Sequence, residues 1–226
     1  MKKIVGIIPA RGNSKGILRK NILLLAGKEL ITYTIEAALK SKYLEKIFVS
    51  TEDKEIERIS KRYKEIEIIK RPKKLSLDKV GITDVILHAI SYLEDNNYIS
   101  DLVVALQPTS PLRSSEDIDK AIELFFRKKP YSLVSLCKVE HTPYWFFKIK
   151  KYLNPLFGKK YLRKVRQNVD EIYQPNGAIY ISTPYVLRKY KSFYTKRTIP
   201  YIMPLERSID IDTEIDFKLA ELILNR

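Results

Sequence analysis

Residues 3–16 of this chain read KIVGIIPARGNSKG, a short apolar run that ends in a turn rich in glycine and basic residues. The apolar part is continuous, as in strands that are buried on both faces of a parallel sheet. With the preceding lysine it has the outline of a signal peptide, but it is too short and is closed by Pro9 and Arg11. We therefore predict a buried first strand over Lys3–Pro9, followed by a loop at the edge of a sheet.

The alternation of short β-branched runs with longer helical patterns continues along the chain. Further strands are predicted at Lys46–Ser50, Ile66–Lys70, Leu102–Leu106, Leu133–Lys138 and Ala178–Ser182. Helices are predicted at Leu30–Ser41, Asp53–Tyr63, Val85–Glu94, Asp117–Arg127 and Tyr185–Tyr190, with a last helix, capped by Asp212 or Thr213, that reaches about Leu224. This order predicts one α/β domain over residues 1–226, a Rossmann-like, mostly parallel sheet with helices on both faces and ligands at the carboxyl ends of its strands.

One stretch, residues 139–174, has no regular period. Its aromatic residues lie among Lys and Arg and are Tyr144, Trp145, Phe146, Phe147, Tyr152, Phe157, Tyr161 and Tyr173. The stretch is either a long loop folded onto its own domain or an inserted arm with an apolar face for a partner subunit. Because so many exposed rings would exceed the apolar patch that a soluble monomer tolerates, we predict an inserted arm that forms a homodimer.

The composition narrows the class of protein. Hydrophobic residues make up 45% and charged residues 31% of the chain, which is typical of a folded domain. One cysteine, Cys137, and two histidines exclude a disulfide framework and a Cys- or His-rich metal site. No apolar run approaches the roughly 20 residues of a membrane span. We expect a cytoplasmic protein with no membrane contact.

The net charge of +15, from 42 basic and 27 acidic residues, is typical of nucleic-acid-binding proteins. The basic residues are nevertheless spread along the chain, and abundant Lys and Ile also fit a Lys-rich proteome or a heat-adapted protein. We keep a basic nucleic-acid-binding protein as a remote alternative and expect no nucleic-acid partner.

Three segments carry side chains suited to binding an anion or a cation. After the first strand, Gly12 and Gly16 let backbone amides approach a phosphate, and neighbouring Arg and Lys supply positive charge, or the segment forms only a solvated turn. Its spacing is neither that of a Walker loop nor that of the dinucleotide fingerprint. Residues 106–113, LQPTSPLR, offer Gln107 and Ser110 as hydrogen-bonding groups, or form only a turn that Ser114 or Ser115 caps.

The third segment is residues 209–214, IDIDTE. In extended backbone Asp210 and Asp212 point to the same side, where they can share a hard cation such as Mg²⁺. In the alternative interpretation Asp212 only caps the final helix and Asp210 is solvated.

Taken together, segments along nearly the whole chain resemble one family, and they occur in that family's order. They are residues 8–16 (IPARGNSKG), 19–21 (RKN), 49–51 (VST), 71–72 (RP), 106–113 (LQPTSPLR), 140–141 (EH), 175–181 (PNGAIYI) and 208–213 (SIDIDT). The family is that of the CMP-N-acetylneuraminate (CMP-sialic acid) synthetases, or acylneuraminate cytidylyltransferases.

The resemblance implies a fold of the nucleotide-diphospho-sugar transferase type and a CTP-dependent reaction. The anomeric hydroxyl of a nonulosonic, sialic-type sugar acid attacks the α-phosphate of CTP, which gives the CMP-sugar and pyrophosphate. The resemblance also implies a homodimer, since members dimerise through a protrusion at residues 139–174 that reaches toward the partner's sugar site.

The resemblance further implies roles for individual residues. The nucleotide would be held by Ala10, Arg11, Gly12, Asn13, Ser14, Lys20, Asn21 and Arg71. The sugar acid would be held by Gln107, Arg166, Asn176 and Tyr180, with the Arg166 guanidinium suited to the carboxylate. Asp210 and Asp212 would bind Mg²⁺, and the catalytic set would be Arg11, Lys20, Asp210 and Asp212, one aspartate being a candidate to assist deprotonation of the hydroxyl.

The chain departs from the family's pattern at a few positions. Asn13 and Leu18 stand where glycine and proline are common, and Gln174 stands where arginine is frequent. Residues 79–82, KVGI, lack the serine that some members offer to the base, which leaves the mode of cytosine recognition open.

Several acceptors and reactions remain as alternatives. The acceptor is of the neuraminic, legionaminic or pseudaminic type. The nearest rivals are nucleotidyltransferases for an eight-carbon keto acid or a sugar phosphate, and a metal-dependent glycosyltransferase is more remote because it would not need a triphosphate loop.

Overall fold

Across the residues that this computed structural model describes, 2–14, 16–165 and 168–225, the apolar runs of the sequence form a central sheet of seven strands. The strands are β1 (Ile4–Pro9), β4 (Lys46–Thr51), β5 (Ile66–Lys70), β6 (Leu102–Ala105), β7 (Ser132–Lys138), β10 (Tyr173–Ser182) and β11 (Thr198–Ile202). They lie in the order β11-β7-β10-β6-β1-β4-β5, and β10 alone among them runs antiparallel to its neighbours. The short hairpin of β2 (Leu24–Leu25) and β3 (Lys28–Glu29) lies outside this sheet.

Helices cover both faces of the sheet. They are α1 (Leu30–Leu39), α2 (Lys54–Ser60), α3 (Ile82–Asp95), α4 (Ser115–Lys128), α5 (Pro184–Tyr190) and α6 (Glu214–Leu224). Apolar side chains of α1, α2 and α4 share one core layer with the sheet, and those of α3 and α5 share another. The predicted doubly covered, mostly parallel sheet is therefore confirmed.

The largest departure from the predicted strands is at the antiparallel side of the sheet. β11 was not predicted because Pro200 cannot donate a ladder hydrogen bond, and the strand tolerates this proline because it lies at the edge of the sheet. β10 begins at Tyr173, five residues before the predicted Ala178. Its register shifts between Pro175 and Tyr180, and Gly177 there has a φ of 72°. Because proline and glycine are unusual inside strands, the first half of β10 was not predicted as strand.

Polar caps define the helices that flank the site. The Ser114 hydroxyl accepts from the Asp117 backbone N–H while the Asp117 carboxylate accepts from the Ser114 N–H. Thr213 and Asp216 form the same reciprocal cap on α6. Of the two predicted caps of the last helix, Thr213 fills the position, and the side chain of Asp212 faces elsewhere.

The irregular stretch after β7 is a small excursion from the domain. It contains 3₁₀ turns at Pro143–Trp145 and Lys159–Arg163 and a hairpin of β8 (Phe147–Ile149) with β9 (Leu153–Pro155). Tyr173 and Gln174 belong to β10, so this stretch is shorter than predicted. Within the described ranges no helix is long and apolar enough to cross a membrane.

Candidate active site

The loops after three parallel strands open onto one cavity of about 360 Å³. Pro9 ends β1, Arg71 follows β5 and Gln107 follows β6, and all three line the cavity. β10 brings Gly177 to the same edge because an antiparallel strand begins where its parallel neighbours end. A cavity therefore lies at the carboxyl ends of the strands, where a ligand site was predicted.

Backbone hydrogen bonds hold the loop after β1 in place. The Ala10 N–H donates to the Ser50 carbonyl at 3.0 Å, and the Gly12 N–H donates to Glu52 Oε1 at 2.8 Å. The Asn21 amide donates to the Arg11 carbonyl at 2.9 Å, while its buried oxygen has no partner among the described residues. Ser14 and Gly16 line the cavity and Asn13 is exposed. We call residues 10–21 the phosphate loop.

Among the described residues, three cationic side chains line this cavity. Arg11 pairs with Asp78 at 3.0 Å, and Lys20, although only 6% exposed, bonds through Nζ to the Ile211 carbonyl and to Asp212 Oδ1. Arg71 is buried and donates from Nε and Nη2 to the hydroxyl and carbonyl of Ser50. The pKa of Arg71 is lowered to about 10, chiefly by burial; the charge of Glu52 opposes this effect and the charge of Arg11 adds to it. A cavity lined by these cationic side chains favours an anionic ligand.

The two predicted metal-binding aspartates also line the cavity. The Ile211 N–H donates to the Thr109 carbonyl at 2.8 Å, which anchors the extended segment beside the loop after β6. Asp212 is 78% exposed through its side chain, whereas Asp210 is half-buried. Burial raises the pKa of Asp210; a hydrogen bond from Thr109 opposes this effect and the charge of Asp212 adds to it.

Two glycines allow this close packing. A Cβ on Gly177 would lie 2.8 Å from Asp210 Oδ2 and 3.1 Å from Gln107 Oε1. A Cβ on Gly16 would lie 2.1 Å from the Asp212 carbonyl oxygen. The phosphate loop and the aspartate segment can therefore touch only because residue 16 has no side chain.

The donor set fits Mg²⁺. This ion prefers oxygen ligands and is commonly held by one or two carboxylates together with substrate phosphates. Asp210 and Asp212 supply the carboxylates, and the phosphate loop lies against them. Within residues 2–14, 16–165 and 168–225 no group of three or more His, Cys, Asp or Glu side chains is arranged to hold a metal.

The structure places the candidate sugar-acid residues in different surroundings. Gln107 lines the cavity, but Asn176 is 2% exposed and its amide is used within the protein, accepting from Ser135 Oγ at 2.6 Å and donating to Ser208 Oγ at 2.9 Å. Tyr180 is buried against Phe193 and hydrogen-bonds to Tyr194. Neither side chain is among the described residues that line the cavity, and their contact with the sugar acid stays a prediction. Arg166 lies outside the described residues.

An apolar wall was missed by the sequence analysis. It consists of Leu75, Leu77, Val80, Ile82 and Val85, which line the cavity, the last two from the first turn of α3. Val85 begins a predicted helix, but residues 73–81 have neither helical nor strand period, so the sequence did not mark these five residues as one surface. An apolar wall beside a buried Arg is suited to a planar heterocycle.

Arg113 was also missed, although it lies in a segment singled out above. Its guanidinium is 2% exposed and donates to the carbonyls of Gln107 (3.2 Å) and Ala178 (2.9 Å) and to Thr34 Oγ1 (2.6 Å). Burial lowers the pKa of Arg113 to about 9, against the nearby charge of Asp117. This cation joins the loop after β6 to the middle of β10 and so holds Gln107 beside Gly177.

Comparison with known proteins shows what this chain is similar to. A family model described as cytidylyltransferase matches residues 5–223. The N-acylneuraminate cytidylyltransferase of Escherichia coli O18:K1:H7 is 36% identical over 96% of this chain and 51% of that protein. The CMP-N,N'-diacetyllegionaminic acid synthase of Legionella pneumophila is 35% identical over 98% of this chain and 96% of that protein. The chain thus spans about half the length of the N-acylneuraminate cytidylyltransferases it matches.

A solved structure shares the fold. A CMP:2-keto-3-deoxy-manno-octonic acid synthetase complexed with CTP matches 99% of both chains with a TM-score of 0.72 and 17% sequence identity. At this identity the likeness concerns the architecture of the sheet and its helices.

Proposed function

This chain belongs to the cytidylyltransferase family, and from that premise we propose that it transfers CMP from CTP to the anomeric hydroxyl of a nonulosonic, sialic-type sugar acid and releases pyrophosphate. The observation that carries the proposal is the convergence of Arg11, Lys20 and Arg71 with the Asp210–Asp212 pair on one cavity. Cations and a carboxylate pair around a glycine-containing loop are what a triphosphate and its metal ion need.

The parts of CTP have matching surfaces in this cavity. The triphosphate is assigned to the phosphate loop, with Arg11 exchanging its ion pair with Asp78 for phosphate oxygens and Lys20 presenting its ammonium beside Asp212. The base is assigned to the apolar wall beside Arg71. Mg²⁺ held by Asp210 and Asp212 would add positive charge to the phosphates.

The chemical step is a substitution at the α-phosphorus. The bond from the anomeric oxygen to phosphorus forms, the bond from phosphorus to the bridging β-phosphate oxygen breaks, and pyrophosphate carries away that electron pair. The hydroxyl proton is assigned to Asp210, whose carboxylate lies beside Gly177 together with the Gln107 amide oxygen. Arg11 and Lys20 stabilise the charge that develops on the phosphoryl oxygens.

The acceptor is assigned to the side of the cavity near Gln107. Its amide oxygen lies next to Gly177 and Asp210, where a sugar hydroxyl would meet both groups. Arg166 is proposed to bind the acceptor carboxylate. Since CTP is a cytoplasmic metabolite, we also propose that the protein works in the cytoplasm.

A pyrophosphate-release assay tests the function directly. The four nucleoside triphosphates are crossed with neuraminic, legionaminic and pseudaminic acids, an eight-carbon keto acid and a sugar phosphate. We expect release with CTP and a nine-carbon acid only, and its loss when EDTA removes Mg²⁺. Release with a sugar phosphate, or with the eight-carbon acid in preference to the others, would replace the proposed acceptor.

We also propose that residues 139–174 contain a homodimer interface. Among the described residues of this segment, eight apolar side chains are at least about two-fifths exposed, namely Phe146, Phe147, Ile149, Tyr152, Leu153, Leu156, Phe157 and Val165. Tyr144 stacks on Tyr161 with ring centroids 4.4 Å apart, which gives the excursion its own small aromatic cluster. A two-fold contact would bury the exposed rings against the same segment of a second copy.

The double change Phe146→Asp and Phe147→Asp should convert a dimer into a monomer of low activity even at saturating CTP, because two charges cannot be buried without partners. Light scattering at micromolar protein gives the mass, and the pyrophosphate assay gives the activity. Ile99→Asp is the matched control, since Ile99 is 70% exposed outside this segment. A fully active wild-type monomer would refute the interface.

A further inference from the structure

We infer that Glu52 is a positioning residue that locks the phosphate loop to the wall of the nucleobase pocket, so that the two halves of CTP bind cooperatively. The inference rests on the proposed function, because it assigns a nucleotide to this cavity. It concerns a carboxylate behind the cavity that neither the sequence motifs nor the proposed chemistry uses.

Both oxygens of Glu52 are engaged, each with a different part of the site. Oε1 accepts from the Gly12 N–H of the phosphate loop at 2.8 Å, and Oε2 accepts from the Ser76 hydroxyl at 2.6 Å. Ser76 ends the 3₁₀ turn Lys73–Ser76, and its neighbours Leu75 and Leu77 lie in the apolar wall. One side chain therefore spans the two segments that would hold the triphosphate and the base.

The position of Glu52 in the sheet allows it to hold the two segments at a fixed distance. It directly follows β4, the strand between β1 and β5, which are followed by the phosphate loop and by Arg71. Its negative charge also acts on the buried Arg71. Hydrogen bonds to an ionised group are stronger than neutral ones, so a carboxylate fixes both partners more firmly than an amide would.

The position of the charge argues against a direct role in binding CTP. A carboxylate that touched the triphosphate would repel it, and Glu52 occupies a Gly12 N–H that could otherwise bind an anion. A second bridge, the Arg11–Asp78 ion pair, joins the same two segments at 3.0 Å. Triphosphate binding to Arg11 would weaken that bridge, which leaves Glu52 to maintain the spacing between loop and wall.

The test separates positioning from general structural support. Calorimetry measures the affinity of wild type, Glu52→Ala, Ser76→Ala and Glu52→Gln for CTP, for cytidine and for tripolyphosphate. We expect CTP affinity to fall about tenfold or more in Glu52→Ala and Ser76→Ala, the loss of one or two charge-assisted hydrogen bonds. Affinity for either isolated half should change less than about threefold. Glu52→Gln should recover part of the loss, because its amide oxygen can accept from the Gly12 N–H and its amide N–H can donate to the Ser76 hydroxyl, without the negative charge.

Ser76→Ala removes only the contact between Glu52 and the apolar wall and leaves the contact with Gly12 in place. It therefore still tests the proposal if the Glu52→Ala variant does not fold. Glu65→Ala, an exposed carboxylate just before β5, is the control for the change of net charge. Unchanged CTP affinity in both alanine variants, or equal losses for CTP, cytidine and tripolyphosphate, would overturn the positioning role. A wild-type protein that does not bind CTP would overturn the proposed function itself.

Discussion

Asp210→Asn is expected to reduce turnover at least about a hundredfold, and Asp212→Asn to do the same, because each removes a negative charge proposed to hold Mg²⁺ without changing the volume of the side chain. Asp210 should show the larger loss. It is half-buried against Gly177, beside Gln107, and is proposed both to hold the metal ion and to accept the hydroxyl proton. Steady-state pyrophosphate release at several Mg²⁺ concentrations measures both effects.

The Mg²⁺ dependence makes this prediction specific. The concentration of Mg²⁺ needed for half-maximal turnover should rise in both variants, while the thermal unfolding midpoint stays close to that of the wild type. Asp95→Asn, an exposed change at the end of α3, is the matched control. Near-normal Mg²⁺-dependent turnover in both aspartate variants would eliminate the metal assignment.

Lys20→Met is expected to lower kcat/KM for CTP by a factor of at least about 100, the scale of losing one preorganised group that stabilises developing negative charge. The ammonium is buried, contacts Asp212 Oδ1 at 3.0 Å and lines the cavity. A methionine side chain has about the same length as the apolar part of the lysine side chain but carries no charge. Initial-rate kinetics with CTP varied at saturating sugar acid measure the effect.

Two further measurements show whether Lys20 acts on the phosphates or only supports the aspartate segment. Direct titration with tripolyphosphate should show weakened binding in Lys20→Met, since this ligand lacks both base and sugar. Lys28→Met, which removes an exposed partner of Glu36, should leave both quantities unchanged. If tripolyphosphate binding is normal and only thermal stability falls, Lys20 is a structural residue.

The phosphate loop and the aspartate segment were visible in the sequence because their signals are local. Glycine beside Arg and Lys after an apolar run marks an anion-binding turn, and two aspartates separated by one apolar residue mark one side of an extended segment. Their juxtaposition was not local, because Gly16 meets the Asp212 carbonyl only when residues nearly 200 positions apart are brought together.

The residues behind the site show what sequence patterns miss. Asn176 and Tyr180 lie in a segment that resembles the family, yet the register of β10 turns Asn176 toward Ser135 and Tyr180 toward Phe193. Arg113 and Glu52 resemble ordinary surface residues in the sequence. Only burial and the donors or acceptors around them reveal that they hold the loops in place.

The sequence by itself determined the fold class, six of the seven strands of the central sheet, its helices and the family, since these depend on periodicity, caps and short motifs that neighbouring residues encode. Only the tertiary structure decided which side chains face the cavity. That choice depends on the antiparallel entry of β10, on its irregular register around Gly177 and on the packing of the apolar wall beside Arg71. Each of these comes from contacts between distant segments, whose free energy arises from burial and pairing in the folded chain and leaves no periodic trace in the sequence.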